Sequence, residues 1–206
     1  MCITDDQIES AQTLAEIAEL VAKCQRCPLF ETKTKDVLGV GSDTAEVLFI
    51  GEAPGKNEDL EGEPFVGAAG KFLNELLATI GLERKDIYIA NVLKHRPPSN
   101  RDPLPSEAEA CWPFLKRQIE LINPKLVVFL GRHAMNRFFP DFKISEAHGN
   151  AFRKEMWGRK QVFLALYHPA AALYNGGMRE TLTKDFAKIP KILKKISEKS
   201  EGELNN

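Results

Sequence analysis

Val47-Leu48-Phe49-Ile50-Gly51-Glu52-Ala53-Pro54-Gly55 decides the fold class. Its first four residues are all apolar, the signature of a strand covered on both faces, as in a parallel sheet with helices on each side. The Gly/Pro turn that ends it carries the next residues to the carboxyl edge of the sheet, where open α/β folds bind their ligands. Those residues are Glu52, Glu58, Asp59 and, a few positions on, Phe65. Working outward, strand patterns recur at 86–92, 125–130 and 161–167. Helical spacing appears at 14–23, at 67–80 before the stop Gly81, at 132–139 and at 181–196, where Pro190 interrupts. A further helix opens at Ser106, which with Glu109 resembles a capping box, and runs to 121 or 122 with Pro113 as a bend or restart. The stretch 143–157 has no clear period. Strands alternating with helices predict an α/β fold: one domain of three layers, α/β/α, around a central four-stranded parallel sheet. Within residues 1–206 the N-terminal helix and a cysteine knuckle take up 12–30, and a polar, frayed tail occupies 197–206.

A chain of 206 residues with 43% apolar content can bury one sizeable core. Its formal charge of −1 gives no global attraction to polyanions, so contact with nucleic acid has to come from local clusters. Two are present: Lys94, His95, Arg96 and Arg101, and the C-terminal Lys184, Lys188, Lys191, Lys194, Lys195 and Lys199. The lysine run reads first as a solvated helix face. No stretch resembles a signal peptide or a bilayer span, so a cytoplasmic protein without membrane contact is expected. Nothing suggests more than a monomer.

Four cysteines in a reducing compartment point to metal or redox chemistry rather than disulfides. Cys24 and Cys27 form a C-x2-C pair, a weak signal by itself. With Cys111 and with His95, sixteen residues before it, they make a plausible four-ligand set. Cys2, at the terminus, does not belong to it. Zinc and an iron-sulfur cluster both suit these ligand types, and spacing does not choose between them.

A second constellation lies at the strand ends. Glu52 and Glu58 follow the first strand, Asn91 ends the second and His168 follows the fourth, with Phe65 as a flat apolar surface. Each alone has an ordinary explanation as a turn, cap or core residue. Together they can converge on one crevice.

These residues match a known pattern. The chain resembles the family 4 uracil-DNA glycosylases, the iron-sulfur type, over roughly residues 14 to 195. The resemblance rests on Cys24-x2-Cys27-Pro28-Leu29, on Gly51-Glu52-Ala53-Pro54-Gly55 with Glu58-Asp59, and on Gly62-x-Pro64-Phe65-Val66-Gly67-x2-Gly70. It continues through Asn91-Val92-x-Lys94-x-Arg96-Pro97-Pro98-x-Asn100-Arg101-Asp102-Pro103 to Cys111, and ends with His168-Pro169-Ala170-Ala171.

The resemblance implies a monofunctional DNA-repair glycosylase that flips uracil out of DNA, hydrolyses its N-glycosidic bond and leaves an abasic site. It implies that Phe65 stacks on the flipped base and that Asn91 pairs with O4 and N3, with Gly51 and Ala53 as further substrate-binding positions. His168 would donate to O2 as charge develops there. Glu52 would stabilise the cationic sugar or orient water, with Glu58 as the other carboxylate candidate. The segment after His168 resembles the family's DNA-inserting loop.

Two departures matter. Where the family usually has a fourth cysteine this chain has His95, so the resemblance implies a 4Fe-4S cluster on Cys24, Cys27, His95 and Cys111, with zinc as the alternative. Tyr174-Asn175-Gly176-Gly177 replaces the usual start of the DNA-gripping loop, leaving Arg179 as the cation that could supply the missing charge. Lys94-His95 is also similar to glycosylases that trap uracil covalently on a histidine, but no Arg-rich loop ending in such a histidine lies between His95 and Cys111. The competing readings are a non-hydrolytic or covalently trapping uracil-DNA binding protein carrying the cluster, an electron-transfer module, and a zinc hydrolase of free deoxyuridine nucleotides.

Overall fold

The computed structural model describes residues 3–204, with side chains through residue 198. Cys2 lies outside the described residues. The strands are β1 (Val40–Gly41), β2 (Val47–Gly51), β3 (Tyr88–Asn91), β4 (Leu126–Leu130), β5 (Ala151–Met156) and β6 (Arg159–Leu166). They form one six-stranded sheet in the order β1-β3-β2-β4-β6-β5. The inner strands β3, β2, β4 and β6 run parallel, and β1 and β5 add to the two edges antiparallel.

The expected four-stranded parallel sheet is therefore the centre of a six-stranded mixed one. All five residues of β2 and of β4 are buried, and such doubly covered strands announce themselves by composition. The edge strands do not. β1 is two residues long, and β5 carries Arg153, Lys154 and Glu155 on an exposed edge, where charge deters pairing with other chains. The β5–β6 hairpin turns at Trp157 (φ +52°) and Gly158 (φ +75°), the pair of positive φ values that a two-residue hairpin matched to strand twist requires.

Ten α-helices accompany the sheet: α1 (Asp5–Ser10), α2 (Leu14–Ala22), α3 (Lys56–Glu61), α4 (Ala68–Thr79), α5 (Pro105–Ile122), α6 (Arg132–Asn136), α7 (Ile144–Ala147), α8 (Ala171–Tyr174), α9 (Gly176–Phe186) and α10 (Ile189–Leu204) among the described residues. Strand alternation sorts the core into two layers. Phe49, Ile89, Val128 and Leu164 face α4, α9 and α10 through Phe72, Leu73, Leu182 and Phe186. Leu48, Ala90, Phe129 and Phe163 face α5 and α6 through Leu115, Ile119, Met135 and Phe138. A smaller cluster of Ile8, Ile17, Val21, Cys24 and Phe114 seats α1 and α2 on α5.

Three local expectations change. The carboxylate that caps α5 is Glu107 rather than Glu109: the helix starts at Pro105, and Glu107 accepts from the Leu104 N–H at 2.9 Å. Pro113 stays within a continuous helix. Near Pro190 the chain makes two helices, α9 and α10, and the second continues to Leu204 through the segment expected to fray.

β2 is the strand at which the sheet order reverses: β3 lies on one side of it and β4 on the other. A crevice outside its carboxyl end follows from that reversal.

Candidate active site

Outside the carboxyl ends of β2, β3 and β6 lies a cavity of about 690 Å³ lined by Glu52, Ala53, Glu58, Phe65, Asn91 and His168, among others. Residues far apart in sequence thus meet in one concave space of ligand-binding size.

Its floor is set by close backbone approaches. Gly51 pairs with Asn91 in the β2–β3 register, and a Cβ at Gly51 would stand 2.3 Å from Asn91 Oδ1 and 2.7 Å from the Phe65 ring. Gly51 thus makes room for two side chains rather than lining the cavity itself. Phe65 holds a left-handed φ of +55°, and its carbonyl lies where a Cβ on Gly70 would come within 1.7 Å. Two further groups pin that strained turn. Arg84 donates to the carbonyls of Pro64 (2.7 Å) and Phe65 (3.3 Å), and Glu58 accepts from the N–H groups of Val66 and Gly67, both at 3.1 Å.

Glu58 is therefore committed to backbone amides, whereas the Glu52 carboxylate accepts no hydrogen bond among the described residues and faces His133, whose Nε2 lies 3.7 Å from it. Burial pushes the Glu52 carboxyl above the usual range; His133 and Arg132 oppose the rise and Asp102 adds to it. Asn91 is 2% exposed and its side-chain amide has no protein partner among the described residues.

His168 stacks on Phe65 with ring centroids 5.4 Å apart. Its Nδ1 accepts from the Ala170 N–H at 3.1 Å, which puts the proton of the neutral ring on Nε2. Burial pushes the imidazole down to about 4, so it is neutral at physiological pH. Gly131, at φ +96°, gives the His168 side chain its space.

The rim carries Leu173 and Tyr174, the latter 91% exposed. Arg179 does not join them: it pairs with Glu75 at 2.6 Å and lies over the Phe72 ring. Much of the basic cluster read from sequence is engaged within the protein, although Arg96, bonded to Asn100 at 2.7 Å, is not buried. Lys94 and His95 are buried, and Arg101 forms a two-pronged pair with the buried Glu107 at 2.6 and 2.9 Å. Of the lysine run, Lys184 and Lys188 pair with Glu180 and Asp185.

Cys24, Cys27, His95 and Cys111 line a second, small cavity together with Lys94 and Arg26. Burial pushes all three thiols up, Cys111 to about 12. Thiolates here need a compensating cation, and three sulfurs plus an imidazole form a donor set that suits a metal or cluster. His95 Nε2 is taken by Asp36 at 2.8 Å, which leaves Nδ1 as its free ring nitrogen. Lys94 joins the two cavities: its buried ammonium donates to the Asn91 carbonyl at 2.7 Å.

Residues 38–195 match the family model described as the uracil DNA glycosylase superfamily. A type-4 uracil-DNA glycosylase of Archaeoglobus fulgidus is 50% identical over 186 residues, covering 88% of this chain and 94% of the relative. The chain belongs to the type-4 uracil-DNA glycosylases. Other members of the family bear this out: those of Saccharolobus solfataricus (46% identity, 86% of this chain and 85% of the relative) and Thermotoga maritima (42%, 87% and 94%) carry the same description. The family membership read from the motifs is thereby established.

Reading the sequence missed Arg84, Asp36 and His133 as parts of these sites. Arg84 and Asp36 act on neighbours distant in sequence and leave no local signal. His133 does leave one: it follows β4 as Glu52 follows β2, a polar residue at a carboxyl edge.

Proposed function

We propose that this member of the type-4 glycosylases flips uracil out of DNA into the 690 Å³ cavity and hydrolyses its N-glycosidic bond. The observation that carries the reading is the meeting of Phe65, Asn91, Glu52 and His168 in that single space. Phe65 offers the flat face against which the base packs. The Asn91 amide, buried and without a protein partner among the described residues, pairs one acceptor and one donor with N3–H and O4. Cytosine presents the reverse pattern to an amide held in one orientation, and the buried groups left unpaired make its rejection strong.

Breaking the bond moves negative charge onto the base and positive charge onto the sugar. The neutral His168 ring donates its Nε2–H to O2, so it stabilises the departing anion by a hydrogen bond and keeps its proton. Glu52, whose carboxylate no backbone amide occupies, stabilises the sugar cation or orients the attacking water. Glu58 holds the Phe65–Gly67 turn in shape. Leu173 and Tyr174 stand on the segment after His168, where an apolar pair can enter the duplex and hold the gap open.

Cys24, Cys27, Cys111 and His95, the last through Nδ1, would hold a 4Fe-4S cluster, with zinc as the alternative occupant of the same ligands. The group supplies a cross-link between the end of α2, the segment after β3 and α5, beside the pocket.

Incubating a uracil-containing oligonucleotide with the protein and cleaving with hot alkali should give strand breaks at uracil. Glu52→Ala and His168→Ala should each lose them, and full cleavage by either variant removes that residue from the mechanism.

A further inference from the structure

His133 opens a short helix at the carboxyl edge of β4 and stands against the pocket's carboxylate. Its Nε2 lies 3.3 Å from Asp102 Oδ2 and 3.7 Å from Glu52 Oε2. The same nitrogen is 3.0 Å from Arg132 Nε. A neutral ring accepts there from Arg132; a protonated ring turns an N–H toward the two carboxylates. The donor atoms of Glu52, Asp102 and His133 all fall within 4.8 Å of one another, so the charge of each bears on the others. Arg132 pairs with Asp102 at 3.0 Å and takes up part of that second anion.

We propose that His133 is a positioning residue for uracil excision: its ring, braced by Asp102, holds the Glu52 carboxylate in place beside the scissile bond, and whenever the ring carries a proton it favours the charged form of that carboxylate. This rests on the role of Glu52 given above. The groups facing His133 are Glu52 from the end of β2, Asp102 from the loop before α5, Arg132 from its own helix and His168 from the end of β6. The cation acts on both reacting groups in the useful direction. It favours anionic Glu52, opposing the desolvation that favours the neutral acid, and it favours neutral His168.

The test is the pH profile of single-turnover excision from duplex DNA for the wild type, His133→Asn, His133→Lys and Glu52→Gln. His133 is 29% exposed on its side chain, so its replacement opens no core; melting curves accompany each variant, and His133→Gln repeats the measurement if His133→Asn is poorly folded. Without a proton on His133 the Glu52 carboxyl rises, so the acid limb of His133→Asn should move up by about one pH unit, with rates on the acid side of the limb down by up to about tenfold and the plateau unchanged. Binding of a duplex with a non-cleavable uracil nucleotide should stay unchanged, and the fixed charge of His133→Lys should bring the acid limb back. An acid limb that stays in place in His133→Asn, a loss equal at every pH, or a His133→Lys no better than His133→Asn overturns the proposal. If Glu52→Gln is fully active, the role of Glu52 falls and the proposal falls with it; an inactive Glu52→Gln beside an unmoved acid limb rejects His133 alone.

Discussion

Replacing Gly51 by alanine adds one carbon at the floor of the pocket. That carbon would stand 2.3 Å from Asn91 Oδ1 and 2.7 Å from the Phe65 ring, where ordinary contact begins at 3.4 Å. The shortfall against Asn91 is roughly 1 Å, well inside the repulsive wall. Phe65 cannot retreat as a unit, because Gly70 lies against its carbonyl, Arg84 holds two carbonyls of its turn and Glu58 holds the next two amides. The displacement falls instead on the Asn91 amide and the tilt of the Phe65 ring, the two groups proposed to orient the base. Misplacement by that distance costs about 100-fold in single-turnover excision. Overpacking removes about 1–3 kcal/mol of stability. Gly158→Ala is the control: at φ +75°, with open space around it, it should cost about 1 kcal/mol through backbone strain and leave excision unchanged. A folded Gly51→Ala that excises uracil within about threefold of the wild-type rate would refute the claim that the fixed floor aligns the base.

The His168 imidazole is pushed down from its ordinary value of 6.5 to about 4, so between those values the unfolded chain binds a proton that the folded chain does not. Stability from this group is full above pH 6.5 and falls as pH drops toward 4, by at most about 3 kcal/mol and by less because the pocket is open to water. His168→Gln should flatten that part of a urea-midpoint profile, and an unchanged slope would contradict a neutral ring. For the second cavity, protein purified without oxygen should carry about four irons with inorganic sulfide and absorb broadly in the visible. Cys111→Ser should lose both and melt lower. A colourless protein with one zinc assigns the same ligands to zinc, and wild type with neither metal, melting like Cys111→Ser, rejects the site.

The parts of the fold legible in the sequence are those whose physics is local. Strands β2 and β4 are buried on both faces and read as unbroken apolar runs, and the turn after β2 follows from its glycines and proline. β5 was illegible because its charged residues lie on an open edge, where pairing comes from β6 and not from its own composition. Glu52, Phe65, Asn91 and His168, which line one cavity, are legible in the sequence because each follows or ends a strand, or sits in a Gly/Pro motif. Which of Glu52 and Glu58 is held by backbone was not legible, since only the fold brings Glu58 to the amides of Val66 and Gly67. The basic cluster failed for a related reason: Lys94 and Arg101 are spent on Asn91 and Glu107, partners that composition does not reveal.

The segment from Asn91 to Cys111 ties the two cavities into one device. On the proposed reading Asn91 supplies the amide that meets the base, and three residues later Lys94 turns its buried ammonium back onto the Asn91 carbonyl. The next residue, His95, faces the cysteines, and Asp102 reaches the Glu52–His133 pair before α5 delivers Cys111. A buried ammonium is tolerable only with compensation; here the Asn91 carbonyl gives part, and Cys111 stands where a thiolate, once held by a metal, would give more. Thiolates held by a metal would therefore steady Lys94, and through it the carbonyl end of Asn91. By this chain of contacts, stripping any metal or cluster from the cysteine cavity should lower the preference for uracil over cytosine in an excision assay before a melting curve shows the sheet unfolding, because the central pairing of β2 with β4 and of β4 with β6 lies outside those contacts.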